Sequence, residues 1–238
     1  MLLQIIHWTN MAGTVLEGLL LLRVLTLRLQ RMYAFVTLYW ASSLIFDGAA
    51  WAFGWESAAT SRLTAYTLFV SALIFPLVAW DVFEEMKPAI TQLRLQQASR
   101  LVSGMFLTLL LTAIWFALSG DEAEKDPDGL LTSCGVLLWF GAACVSSMFV
   151  WSLRHLARKQ QLVVPRNTSV WTTVFLLLMW AVIADALAAM TAVYAGQNAV
   201  QVITLAIDIV QSAAMAWALL RVRAIPSQTS PEPQEARL

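Results

Sequence analysis

Four acidic side chains stand inside long apolar stretches: Glu17 in TVLEGLLLL, Asp47 in SLIFDGAAW, Asp185 in AVIADALAAM and Asp208 in TLAIDIVQSA. A carboxyl group in such surroundings has three ways to be stable. It can keep its proton, because burial favours the neutral acid. It can hold a cation. It can also accept hydrogen bonds from Ser, Thr, Tyr or backbone groups on a neighbouring segment. Placing such a group in a lipid-embedded helix costs at least ~2.5–3.5 kcal/mol, which makes it a functional residue by default. The structural alternative is a protonated carboxyl that glues two helices together. Asp47, Asp185, Asp208 and Glu17 are therefore the candidate ligand- or ion-binding residues. No Lys, Arg or His stands at their depth; the nearest bases, Arg62 and His7, lie close to a segment end.

Other chemistries lack their residues. A retinal Schiff base needs a mid-helix lysine, and Lys87, Lys125 and Lys159 all lie in or beside connections. Two-histidine haem ligation is excluded by His7 and His155 at opposite edges. A metallohydrolase would need clustered His and Asp, and the serines have no adjacent His or Lys base. The run DEAEKDPDG does not have the acidic spacing of a calcium loop and reads as a solvated acidic connection. Cys134 and Cys144 are ten residues apart in one apolar segment, ~15 Å along a helix and beyond disulfide reach. No enzyme activity, cofactor or metal is expected.

The segments that carry the carboxylates are membrane-like. Of the 238 residues, 59% are hydrophobic and 13% charged, with 11 Trp and zero formal net charge. Mean hydropathy is +0.69. Soluble domains carry about a quarter charged residues. Seven apolar stretches, 4–27, 33–54, 61–83, 101–119, 130–153, 168–194 and 198–220, each reach the ~20 residues that a helix needs to cross a bilayer. In lipid a segment must satisfy its own backbone, so each is read as a helix. The expected fold is all-α: a single bundle of seven transmembrane helices over residues 1–225, followed by a polar, Pro-rich tail at 226–238 expected to be disordered. The start MLLQIIHW lacks a basic n-region and a small-residue cleavage site follows nowhere near it, so the first span is expected to be retained.

Basic residues alternate between the two sides. Arg23, Arg28 and Arg31 follow the first span; Lys87, Arg94 and Arg100 link the third and fourth; Arg154, Arg158, Lys159 and Arg166 link the fifth and sixth; Arg221 and Arg223 follow the seventh. The other side has only Arg62 and Lys125. The positive-inside rule then puts the N-terminus outside and the C-terminus in the cytoplasm. The long 84–100 connection should extend the third helix, break near Pro88 and resume into the fourth. The basic residues of these last connections are expected near anionic headgroups, each adding on the order of 1 kcal/mol of attraction; plain retention by the positive-inside rule is the simpler alternative.

In this frame the carboxylates share a slab. Asp47 lies ~10 Å from the outer end of its span, Asp185 and Asp208 ~14 Å and Glu17 ~19 Å. Three of them sit on polar stripes at helical spacing: Asn10, Thr14 and Glu17; Tyr39, Ser43 and Asp47; Gln201, Thr204, Asp208 and Gln211. Asp185 is flanked by Ala181, Ala184, Ala188 and Ala189, which permit close helix approach. The first, second, sixth and seventh helices would bring all four together if the bundle closes on itself. Trp8, Trp40, Trp51, Trp55, Trp80, Trp115, Trp151 and Trp171 lie toward span ends and read as an interfacial aromatic belt, while Trp139, Trp180 and Trp217 are deeper.

Three stretches, RLQRMYAFVTLYW, AWDVFEEMKP and RHLARKQQLVVPRNTSVWTTVFLLLMW, taken in that order, resemble an uncharacterised family of small bacterial seven-transmembrane-helix membrane proteins. The resemblance implies the topology and a bacterial inner (cytoplasmic) membrane. It implies no chemistry and carries over no functional residue. The expected role is a non-enzymatic receptor-like or transport-type protein with a proton-, cation- or small-ligand-responsive carboxylate site. The alternative is an accessory or scaffold subunit whose carboxylates are glue. The expected partners are the lipid bilayer, a proton, cation or small molecule, and a cytoplasmic protein; no charge excess points to nucleic acid.

Overall fold

The computed structural model describes residues 2–54, 57–87, 94–119, 127–195 and 197–224. Within them the chain forms seven α-helices and no strand: α1 (Leu2–Thr26), α2 (Ala34–Phe53), α3 (Ala58–Met86), α4 (Arg94–Leu118), α5 (Pro127–Lys159), α6 (Arg166–Ala195) and α7 (Gln197–Arg221). A 3-10 turn at Leu29–Arg31 joins α1 to α2. Each helix covers one of the apolar stretches read from the sequence. The centre of the 84–100 connection, the acidic loop at 120–126 and the tail at 226–238 lie outside the described residues.

Five helical stretches are long and apolar enough to cross a membrane: Arg62–Met86, Leu95–Leu118, Gly129–Lys159, Arg166–Ala188 and Val200–Arg221. They belong to α3 through α7. α1 and α2 carry the polar stripes, Asn10, Thr14 and Glu17 in α1 and Tyr39, Ser43 and Asp47 in α2. The outer surface is apolar where a soluble protein would be charged. Phe106, Leu107, Leu110, Leu111, Ile114 and Trp115 of α4 are all exposed, a patch that only lipid or another protein covers without cost.

The helices close into a ring. α1 packs on α2, α2 on α3, α3 on α5, α5 on α6, α6 on α7, and α7 returns to α1. α3 also touches α6 across the middle. α4 stands outside the ring and packs on α5. Two glycines set that contact. A Cβ at Gly104 would come 2.7 Å from Val145 Cγ1, and one at Gly141 would overlap the Thr108 side chain. Small residues let helices in lipid approach closely enough for dispersion contacts to hold them.

All the basic connections lie at one end of the ring, and hydrogen bonds between helix termini join them there. Asp81, near the end of α3, accepts from the backbone N–H groups of Phe35 (2.8 Å) and Val36 (3.1 Å) at the start of α2. Tyr33 Oη pairs with Thr168 Oγ1 of α6 at 3.0 Å. The Asn167 amide donates to the Arg223 carbonyl (2.7 Å) and accepts from its N–H (3.1 Å). Ser152 of α5 donates to Gln97 of α4 at 3.2 Å. The packed core fills this half: Leu20, Val24, Val36, Trp40, Phe75, Trp171, Phe175 and Ala218 form one buried cluster, and Val82, Phe83, Phe149 and Leu153 a second beside it.

Two tryptophans depart from the belt expected above. Trp40 and Trp171 are 0% exposed. They stack with Tyr33, Tyr39 and Phe175 in one aromatic cluster. Distance from a span end does not say which way a ring faces, and here both rings face the ring interior. Trp8, Trp51, Trp115 and Trp151 are exposed.

Candidate functional site

The other half of the ring is where the carboxylates meet. α1 and α7 lie side by side with α2 against α1, and between them is a cavity of about 200 Å³. Its lining includes Glu17, Asp47 and Asp208 together with Asn10, Thr14 and Gln211. Each comes from a stripe at helical spacing: Asn10, Thr14 and Glu17 share one face of α1, and Asp208 and Gln211 one face of α7. Closure of α7 on α1 brings the first and last helices together and turns both stripes inward.

Asp47 and Thr14 tie α2 to α1. Thr14 Oγ1 lies 2.5 Å from Asp47 Oδ2 and 3.2 Å from the Asn10 carbonyl. Ser43 of α2, one turn from Asp47, stands beside Glu17. Glu17 Oε2 is buried and has no hydrogen-bond partner. A buried oxygen without a partner is uncommon enough to need a cause. It also faces the negative potential of Asp47, which lies within electrostatic range. A proton on one of the two carboxyl groups would remove the repulsion, and a cation between them would remove both costs.

Asp185 is placed differently. It does not line the cavity. It sits in the α6–α7 interface, where Thr204 Oγ1 donates to its Oδ1 at 3.3 Å. Asp208, one turn along α7 from Thr204, feels its charge. The polar stripe of α7 is thus divided: Thr204 serves α6, while Asp208 and Gln211 serve the cavity with α1. Three of the four carboxylates share one cavity, and the fourth stands behind Asp208 as its electrostatic neighbour.

Several lining residues escape a reading based on charge. Thr9 and Gly13 widen the α1 stripe, Ser212 widens that of α7 and Met215 extends it by a turn, and Phe46 adjoins Asp47. Their spacing from Asn10 and Asp208 was the available signal. Asp81 is a fifth intramembrane carboxylate, 6% exposed, and its role is visible only across helices. Tyr33 precedes α2 and provides no side-chain cap. The first N–H groups of a helix need acceptors, so the missing cap at Tyr33 was the sequence signal that an acceptor must come from elsewhere. Among the described residues no group of three or more His, Cys, Asp or Glu is arranged to hold a metal ion. Both cysteines are free.

No protein-family model, curated protein or solved structure matches this chain.

Proposed function

We propose that this chain is a seven-span protein of the bacterial inner membrane, N-terminus outside and C-terminus cytoplasmic, as the family resemblance of its three quoted stretches implies. Its role is non-enzymatic, receptor-like or transport-type. Glu17, Asp47 and Asp208 bind a proton, a cation or a small polar ligand, and Asp185 tunes Asp208. Crossing by α1 and α2 as well as by α3 through α7 is supported by their place in the ring. Their polar faces turn toward α7 and toward each other, so their remaining faces can meet lipid. Orientation rests on the gathering of Arg and Lys at one end.

The observation that carries the reading is the buried, unpartnered Oε2 of Glu17 beside Asp47 in a polar cavity with no cationic side chain in its lining. A packed scaffold would have no reason to keep a cavity there. The test is infrared difference spectroscopy of the protein in liposomes across a pH titration, with and without sodium or potassium. The protonated-carboxyl stretch should change with pH or cation, vanish in part in Glu17→Gln, and shift in Asp47→Asn and Asp208→Asn because interacting groups titrate as a set. A wild-type spectrum with no responsive carboxyl band ends the proposal.

The scaffold reading draws on two contacts, Thr14–Asp47 and Thr204–Asp185. Each joins adjacent helices through a carboxylate and a hydroxyl, as glue does. Under that reading the cytoplasmic end would meet a protein partner.

A further inference from the structure

A second polar cavity, apart from the carboxylate site, lies at the basic end. It has a volume of about 340 Å³ and sits where α5 ends, α6 begins and α3 terminates. Its polar lining is Arg154 and Arg158 of α5, Gln161 beyond it, and Ser169 and Thr172 of α6; Met86 and Leu162 are among the apolar walls. Among the described residues no acidic side chain lines it.

Arg154 and Arg158 are four residues apart on one helix face, and their charges lie within range of each other. Like charges at that spacing destabilise a helix. Among the described residues neither guanidinium has an ion-pair partner. Arg154 is half-buried, so its charge is only partly relieved by water. The turn between α5 and α6 keeps the pair facing the start of α6. Gln161 takes a left-handed conformation (φ 52°), and Leu162 N–H returns to the Ala157 carbonyl at 2.9 Å. That closure directs the chain back so that Ser169, in the first turn of the 30-residue α6, lines the same space. Two forks of N–H donors stand there with the Ser169 hydroxyl, and among the described residues no carboxylate opposes them; the Thr172 proton is already given to the Thr168 carbonyl at 2.6 Å. Arginine forks match phosphate oxygens in pairs. The volume falls in the lower range for small-ligand sites.

We infer that the cavity between the end of α5 and the start of α6 binds a phosphate group through Arg154 and Arg158, with the Ser169 hydroxyl as a further donor. The phosphate is carried either by a phospholipid headgroup at the membrane surface or by a soluble phosphate compound. The site is separate from the carboxylate cavity and does not depend on its function.

The test uses the full-length protein. Thermal unfolding in neutral detergent is followed against added inorganic phosphate. Native mass spectrometry from nanodiscs of mixed phosphatidylglycerol and phosphatidylcholine follows lipid retention. Wild type is compared with R154Q/R158Q, with R154K/R158K, and with R221Q/R223Q, which removes the same charge elsewhere at this end. Retention of one phosphatidylglycerol with no response to phosphate identifies the headgroup; stabilisation by phosphate with no lipid retained identifies a soluble ligand; competition between the two shows a site that takes either. In each case R154Q/R158Q should weaken binding at least about tenfold, the scale of losing a charge-assisted hydrogen bond. R154K/R158K should lose part of it and R221Q/R223Q little. Without ligand, R154Q/R158Q should unfold no earlier than wild type, because it relieves repulsion, so lost binding cannot be ascribed to misfolding. Equal binding by wild type and R154Q/R158Q, or an equal loss in R221Q/R223Q, overturns the inference.

Discussion

At Asp185 the two readings of an intramembrane carboxylate predict different mutants. Asn keeps the shape and an oxygen for Thr204 but cannot titrate. If Asp185 tunes Asp208, Asp185→Asn should insert and fold normally while flattening the response of the carboxyl infrared band to pH. If Asp185 is glue, Asn should be silent in every assay and only Asp185→Leu should matter, at a cost of roughly 0.6–2 kcal/mol for a lost interhelical hydrogen bond. An unchanged pH response in Asp185→Asn would remove it from the functional set. Asp81 makes the opposite prediction, a structural one. Asp81→Ala leaves the N–H groups of Phe35 and Val36 without their acceptor and should cost ~0.5–2 kcal/mol, the scale of a lost helix cap. Asp81→Asn, with one carbonyl oxygen left to accept, should cost less. Thermal unfolding in detergent reads both, and equal stability of Ala, Asn and wild type would show that the cap contributes nothing. The sequence exposed Glu17, Asp47, Asp185 and Asp208 because each interrupts an apolar run. It could not sort them, since which helix each one faces depends on ring closure. Asp81 was passed over because it lies near a span end, where a charge needs no explanation, and its partners are 46 and 45 residues away.

The helices were the most legible layer. Runs of apolar residues long enough to cross a bilayer, separated by polar connections, leave few other solutions in lipid. Facing was less legible. Trp40 and Trp171 entered the core although their depth suited a belt, because an aromatic ring is equally at home at an interface or among Phe75 and Phe175. The outlying place of α4 was not readable at all. It is encoded by Gly104 and Gly141, which look like ordinary apolar filler until Val145 and Thr108 are seen against them. Replacing either glycine should therefore detach one element and leave the ring. Gly141→Leu should lower the melting temperature and increase proteolysis at the α3–α4 connection, while the infrared response of the carboxylates in the α1–α2–α7 half stays as in wild type. Loss of both together would mean that α4 is an integral part of the ring's stability.

For the molecule as a whole, the proposed topology is checked by cysteine accessibility. With Cys134 and Cys144 replaced by Ala, a cysteine at Asp121 should react with an impermeant thiol reagent in intact spheroplasts, and one at Gln160 only after lysis. The reverse pattern would invert the assignment. The charge alternation that motivates it was present in the sequence, but the ties that gather the basic termini were not. Those ties, Asp81 to α2, Tyr33 to Thr168, Asn167 to Arg223, and Ser152 to Gln97, lie at one end above a dry aromatic core. In the opposite half the interhelical bonds described above, Thr14–Asp47 and Thr204–Asp185, both have a carboxylate as one partner. Mechanically this is a set of rods clamped at one end and latched at the other, where the deflection that a given force produces is greatest far from the clamp. On the proposed function, the Thr14–Asp47 latch would change strength when its carboxylate gains or loses a proton or meets a cation, so the chemistry of the cavity would act where the helices are easiest to spread.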